Sequence, residues 1–430
     1  LLDNTAAFVA LDEAALQRGH VHVPLPTFFT PAQMQHALAA AGVDTLLVAP
    51  PLAARWPGLA WQPVEIAGES LRAVRLPAAA GAPVRLPAGT AKITFTSGTT
   101  GAPKGVCLGA DAMERVADGL VQALAPLGIE RHLNALPFAV LLENIAGVMA
   151  PRRQGAVLLT LPLQTLGLTG SSSFDAQRFD LMVRELQPHS LILLPQMLRA
   201  WCAWLGASGQ RAAASLNLVA VGGAAVGAPL IRAAQALGIP ACEGYGLSEG
   251  ASVQTLNLPA AARPGSAGRA LPHARLRVAD DGEILVAGSL FLGYLGERAE
   301  PEGAPAPVPA WWPTGDLGRI DEDGFVHVQG RKKHLLITSF GRNVSPEWVE
   351  TALRGEAAVR DVVVYGDGQP QLTAVLWPSA AGLSDAALQQ AVDRANQTLP
   401  DYARIGRWTR GRAPLDAASG LATANGRPQR

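Results

Sequence analysis

The chain has 430 residues, 49% of them hydrophobic, with 35 Lys+Arg balanced by 35 Asp+Glu. That length calls for roughly two or three structural units, and the apolar content excludes wholesale disorder. With a net charge of zero, nothing in the composition suggests the electrostatic footprint of a nucleic-acid binder or a polybasic membrane patch.

In chain order, the first clear element starts at Thr30-Pro31-Ala32-Gln33. Thr30 caps, Pro31 suits the first helical position, and Gln33 completes a capping box. Gly42 stops that helix and residues 45–48 read as a strand, so the early chain reads as αβ units of a wound sheet. Residues 51–90 are rich in Pro, Ala and Gly and read as loops and short strands. Residues 92–96 alternate Ile93 and Phe95 with Lys92 and Thr94, which predicts a strand. Between 111 and 240, helical stretches at 112–124 and 175–186 alternate with apolar runs at 191–194 and 218–221. This predicts a mainly parallel sheet with helices on its faces.

After about residue 265 the texture changes. Residues 275–278 and 283–286 flank Asp280-Asp281-Gly282, and 318–321 and 325–328 flank Glu322-Asp323-Gly324, both hairpin signals. The stretch 297–309 reads as an exposed loop. From residue 331 a separate α+β unit is expected: Ser345-Pro346-Glu347 caps a short helix, 362–365 pairs with 372–377, and 384–399 is a longer helix. The expected organisation is a large α/β N-terminal domain over 1–330 and a small C-terminal domain over 331–430.

Cys107, Cys202 and Cys242 are widely spread, which argues against a disulfide framework or zinc site and fits a reducing, cytoplasmic setting. His20 and His22 share one strand face but show no acidic or cysteine partner in sequence, so no metal role is expected of them. The chain starts Leu-Leu-Asp, and the expectation is that its extreme N-terminus is missing. Residues 133–150 are the nearest approach to a transmembrane segment, and Asn134, Glu143 and Asn144 interrupt them.

The most informative stretch is Thr96-Ser97-Gly98-Thr99-Thr100-Gly101-Ala102-Pro103-Lys104-Gly105. Glycines let backbone N–H groups approach anionic oxygens, hydroxyls donate further bonds, and Lys104 adds a charge, so the loop suits a polyphosphate. It is no Walker A loop, because Lys104 follows Pro103 and precedes Gly105 instead of Ser or Thr. Downstream, Gly222-Gly223-Ala224 after the 218–221 run leaves room for a flat ligand, although alone it reads as a tight turn. Residues 243–249 offer the ring of Tyr245, two glycines including Gly246, the hydroxyl of Ser248 and the carboxylate of Glu249.

In order and spacing these motifs resemble the adenylate-forming (AMP-binding) superfamily, acyl-CoA synthetase-like, over residues 90–430. The resemblance implies that superfamily's fold, with a small mobile C-terminal domain. It implies a phosphate loop at Thr96, Ser97, Gly98, Thr99, Thr100 and Gly101, with Lys104 beside the phosphates. Gly222, Gly223 and Ala224 would border adenine, with Tyr245 stacking and Gly246 beside it. Ser248 would bind phosphate, Glu249 would lie on the Mg²⁺ side, and Asp316 of Thr314-Gly315-Asp316 would take the ribose hydroxyls. Arg331 would close the nucleotide site, Lys333 would act as hinge, and the Gly341 loop would line the path of a thiol. The superfamily's terminal Gly-Lys departs here to Gly426-Arg427; Arg427 keeps the charge but is bulkier and never neutral.

The implied reaction uses ATP and Mg²⁺ to turn a carboxylic acid into an acyl-adenylate. CoA, or the phosphopantetheine of an acyl carrier protein, would then take the acyl group. A catalytically impaired nucleotide- or acyl-binding homologue is the alternative. Ala139 stands where amino-acid-activating members carry aspartate, so an α-ammonium would go unpaired. Val140, Leu141, Leu142, Ile145, Val148 and Met149 favour an alkyl or aryl acid, a medium or long fatty acid being the leading expectation, though core packing explains the same residues.

Overall fold

The helix start at Thr30 forms as the sequence predicts. Thr30 Oγ1 accepts from Gln33 N at 3.3 Å, and Gln33 Oε1 accepts from Thr30 N at 3.0 Å. The helix Pro31–Ala40 closes before Gly42, whose φ of 59° is the left-handed value that glycine adopts without strain. The computed structural model describes residues 1–77, 84–96, 103–170, 173–296, 309–416, 419–422 and 428.

A seven-stranded sheet forms the centre of the large domain. Its order is Arg269–Ala270, Ser252–Leu256, Ala241–Leu247, Leu218–Val221, Ser190–Leu193, Arg131–Leu133 and Val157–Leu159. From Ala241–Leu247 onward the neighbours are parallel, and the other two strands pair antiparallel. The parallel strands are apolar on both faces because helices cover both. Leu191, Leu193 and Val219 have no exposed surface, and helices Ala176–Leu186 and Pro195–Ser208 pack Phe179 edge-on to Trp201 at 5.2 Å.

A second sheet carries the entry to the phosphate-loop motif. Strand Thr90–Thr96 pairs antiparallel with Lys104–Gly109, Thr96 facing Lys104, and Gly293–Tyr294 adds to the far side. The strand expected at 92–96 forms, and the face carrying Lys92 and Thr94 is buried like its apolar one, with Lys92 and Thr94 only 3% and 4% exposed. The helix Ala6–Gln17 brings Asp12, and the π-helix Glu143–Met149 brings Asn144, against that face. Lys92 Nζ lies 2.8 Å from Asp12 Oδ1 and donates to Asn144 Oδ1, while Asn144 Nδ2 donates to Asp12 Oδ2 at 2.9 Å. His22 therefore has the acidic partner the sequence hid, its Nδ1 lying 2.6 Å from Asp12 Oδ1. Burial pushes the Asp12 carboxyl up, but Lys92 and His22 together outweigh it and hold the group well below the usual carboxylate range. Burial lowers the His22 pKa in spite of the Asp12 carboxylate beside it.

Both predicted hairpins form in a four-stranded antiparallel sheet, Arg275–Val278, Glu283–Ala287, Trp312–Ile320 and Val326–Arg331. The small domain pairs Val359–Tyr365 antiparallel with Leu372–Pro378, and Ile405–Arg410 adds in parallel. Helices Pro346–Arg354 and Asp385–Gln397 bury Val349, Leu353, Leu388 and Val392 with this sheet. Ser345 precedes the first helix as expected, but its Oγ donates to Gln329 O at 2.8 Å instead of capping. Among the described residues no helix is long and apolar enough to cross a membrane.

Candidate functional site

The strand Ala241–Leu247 ends in a 3₁₀ turn at Ser248–Gly250, and the chain then doubles back as Ser252–Leu256. Two residues with left-handed φ, Ala251 at 55° and Ser252 at 111°, make that reversal. Backbone strain of this kind concentrates at functional sites. A Cβ on Gly246 would lie 2.2 Å from Ser252 O, so only glycine lets the strands close. The hairpin puts Glu249 at its tip and Tyr245 on the strand that leads into it, and each reaches a different neighbouring sheet.

Glu249 reaches the second sheet. Tyr294 Oη donates to Glu249 Oε1 at 2.7 Å, and Phe291 N donates to Glu249 O at 2.8 Å. The Lys104 ammonium lies 4.9 Å from the centroid of the same Tyr294 ring. One tyrosine thus joins the cation that follows the motif loop to the carboxylate of the hairpin tip. Gly293–Tyr294 pairs with Lys104–Gly109, which fixes the ring's position beside Lys104.

Tyr245 reaches the four-stranded sheet. Its Oη donates to Asp316 Oδ2 at 2.7 Å, and Arg331 Nε lies 2.9 Å from Asp316 Oδ1. Burial, and then the Asp316 carboxylate, hold the Tyr245 phenol well above its usual pKa, so it stays a proton donor. Arg331 Nη1 also donates to Thr314 O at 3.1 Å, and Thr314 Oγ1 accepts from Asp316 N at 3.0 Å. Asp316, 5% exposed, is therefore held from three sides. Trp312 links the two networks: its ring lies 4.6 Å from Phe291 and 6.2 Å from Tyr294.

Gly222 and Gly223 follow the strand Leu218–Val221. Gly222 N donates to Leu193 O at 3.3 Å, Gly223 takes φ of 81°, and Ala224 is exposed. The turn lies against the Tyr245 strand, because a Cβ on Gly222 would meet Gly244 O at 3.2 Å. Glu243 anchors its far end by accepting from Val226 N at 3.2 Å. Burial pushes that carboxyl up to about 7. Lys333 sits in the 3₁₀ turn Lys332–His334, and with Gly315, Arg331 and Lys332 it lines a cleft of about 310 Å³.

Lys104, Thr96, Gly222, Gly223, Ala224, Tyr245, Gly246, Ser248, Glu249, Asp316, Arg331 and Lys333 are thus placed on neighbouring strand ends and turns. Ser97, Gly98, Thr99, Thr100, Gly101 and Arg427 lie outside the described residues. Sequence reasoning missed Tyr294 and Glu243. Tyr294 stands in a two-residue strand with no motif around it, and Glu243 stands at the start of its segment with no signal of its own. Among the acyl-wall candidates, Ala139 and Val148 pack with Phe8, Val9 and Leu71, and Leu141 and Ile145 pack with Met113 and Val116. These residues are core in this structure.

Residues 1–295 match the family model described as AMP-binding enzyme, and 333–417 match that of the AMP-binding enzyme C-terminal domain. A long-chain-fatty-acid–CoA ligase, FadD15 of Mycobacterium bovis, is 40% identical over 156 residues, 36% of this chain and 26% of that protein. A 2-succinylbenzoate–CoA ligase of Listeria innocua is 31% identical over 281 residues, 64% of this chain and 56% of that protein. Both alignments leave much of the relative's length unmatched. The fold is that of the anthranilate CoA ligase AuaEII in complex with anthranoyl-AMP, with a TM-score of 0.77 at 20% identity over all of this chain and 85% of that one. It is also that of the Bacillus subtilis o-succinylbenzoate CoA synthetase in complex with ATP and magnesium ion, with a TM-score of 0.74 at 23% identity over 100% and 87%.

Proposed function

This chain belongs to the AMP-binding enzyme family, and from that premise we propose that it activates a carboxylic acid with ATP and passes the acyl group to CoA. The observation that carries the reading is the flanking of one segment, residues 245–249, by the Lys104–Tyr294–Glu249 and Tyr245–Asp316–Arg331 networks. A cation, two carboxylates, an aromatic ring and a small-residue turn are the groups a nucleoside triphosphate needs.

In this reading the substrate acid attacks the α-phosphate of ATP, giving acyl-adenylate and pyrophosphate, and a thiol then displaces AMP. Lys104 neutralises phosphate charge, and Ser248 donates to a phosphate oxygen. Asp316 accepts from the ribose, and Gly222, Gly223 and Ala224 border the base beside Tyr245. The loop Ser97–Gly101 and Arg427 complete the phosphate contacts. Mg²⁺ fits Glu249: magnesium is commonly held by one or two carboxylates together with substrate phosphates, and one Glu249 oxygen is fixed by Tyr294. It would supply charge neutralisation on the triphosphate. The domains divide near 330, with the hinge at Lys333.

The acid is assigned as a fatty acid on the FadD15 likeness. An aryl acid is the second reading, favoured by the longer 2-succinylbenzoate ligase alignment. The deciding experiment is an AMP-release screen across fatty and aromatic acids, with CoA, a carrier protein or neither. AMP release with an acid and CoA is expected. ATP binding without AMP from any acid would leave a non-catalytic homologue. Arg427→Ala is expected to slow adenylation more than thioester formation from supplied acyl-adenylate.

A further inference from the structure

The helix Pro346–Arg354 of the small domain ends against the large domain. Arg199, on the helix Pro195–Ser208, donates from Nη1 to Arg354 O at 2.7 Å. That carbonyl belongs to the last helical turn, which lacks intrahelical donors, and the guanidinium also meets the negative end of the helix dipole. The Arg354 side chain turns back into its own domain, to Glu350 and to Val362 O at 3.2 Å each.

Two glycines set how close the domains approach. Gly355 has φ of −69°, a backbone that any residue adopts, yet a Cβ there would lie 2.9 Å from Pro229 Cγ. Gly227 faces the same helix, and a Cβ on it would lie 2.8 Å from Thr351 Cγ2. The Thr351 hydroxyl donates to Glu347 O at 2.7 Å within its own helix, which leaves the methyl for Gly227. Gly227 follows Val226, the residue whose N–H Glu243 accepts, so the small domain rests on the loop that begins at Gly222.

We propose that Arg199, Gly227 and Gly355 form a latch that positions the small domain on the rim of the Gly222–Gly227 loop and sets how much of the population is docked there. Apart from the Ser345–Gln329 bond beside the domain boundary, the contact on this rim is, among the described residues, one charge-assisted bond and two glycine-to-side-chain contacts. A single added side chain therefore shifts the balance. The latch stands whether or not an acid is activated, since its primary readout is a distance.

The experiment places spin labels through Glu185→Cys on the helix Ala176–Leu186 and Gln390→Cys on the helix Asp385–Gln397, both exposed positions. The native Cys107, Cys202 and Cys242 are buried and leave the introduced thiols as the reactive ones. The parent chain is expected to show one dominant inter-label distance. Gly355→Leu and Arg199→Met should each move the docked-to-undocked ratio by about tenfold, in line with an overpacked contact or a lost charged hydrogen bond. Arg199→Lys should restore most of it. Gly382→Leu, at an exposed small-domain glycine with no atom within 4 Å, should change nothing. In an active preparation, the ratio of pyrophosphate exchange to thioester formation should move in the two latch variants and return in Arg199→Lys. Parent-like distances in both folded latch variants would overturn the proposal. If Gly355→Leu does not fold, Arg199→Met and its Lys rescue decide.

Discussion

Tyr294 donates its hydroxyl to the Glu249 carboxylate at 2.7 Å while its ring lies 4.9 Å under the Lys104 ammonium. A carboxylate and an ammonium from distant parts of the chain are thereby fixed to one rigid side chain.

Tyr294→Phe keeps the ring beneath Lys104 and removes the hydroxyl that donates to Glu249. A hydrogen bond to a charged group contributes roughly 1.5–3 kcal/mol, so pyrophosphate exchange should fall about tenfold or more, with little change in melting temperature. Glu249→Ala should lose most exchange. Combining the two should add little to Glu249→Ala alone, because both act through one carboxylate. Fully additive losses in steady-state rates would show that Tyr294 acts elsewhere.

Asp316→Asn removes the charge that pairs with Arg331 but leaves an oxygen for the Tyr245 hydroxyl. The KM for ATP is expected to rise about tenfold, the loss of a charge-assisted contact, while the KM for the acid stays put. A rise confined to the acid KM would remove Asp316 from the nucleotide side.

Lys92→Met strands the buried Asp12 carboxylate. Breaking such a pair from one side costs about 3–5 kcal/mol, and a further Asp12→Leu change should recover much of it. The Asp12 pKa is depressed in the folded chain, so its stabilisation is present above the unfolded value of 3.8 and is lost as pH falls through the folded one. Denaturant midpoints should therefore show the gap between parent and Lys92→Met narrowing in acid.

Glu243 behaves in the opposite sense. Burial raises its pKa from 4.5 to about 7, so the folded chain holds this proton more tightly than the unfolded one. Stability then falls as pH rises from 4.5 to about 7 and levels above that. Glu243→Gln removes this dependence while keeping an acceptor for Val226 N. Between pH 4 and 8 the variant should gain on the parent by roughly 3 kcal/mol, at about 1.4 kcal/mol per pKa step. Parallel stability profiles for the two proteins would contradict the raised value.

Local chemistry made much of the fold legible in one dimension. The Thr30–Gln33 capping box needs only neighbours along the chain, and the strand Leu218–Val221 forms at the residues its apolar run marks. The hairpin at Asp280-Asp281-Gly282 likewise follows from glycine's φ of 83° at position 282. Tyr245, Glu249, Asp316 and Arg331 were legible as motif members because each sits in a short polar, glycine-containing stretch at a strand end. The burial of Lys92 was not legible, because alternation reports that two faces differ, not which of them meets solvent. Asp12 lies 80 residues away and supplies the counter-charge that lets a lysine be buried.

The sequence by itself therefore determined the elements, the family and the order of its polar turns, since these depend on short-range backbone preference and on spacing. Only the tertiary structure decided that Tyr294 would join Lys104 to Glu249 and that Arg199 would hold the end of a small-domain helix. Those contacts join residues 45 and 155 positions apart, and they form because strands and helices from separate segments pack side by side. Chain spacing carries no record of which side chains that packing brings within hydrogen-bond reach.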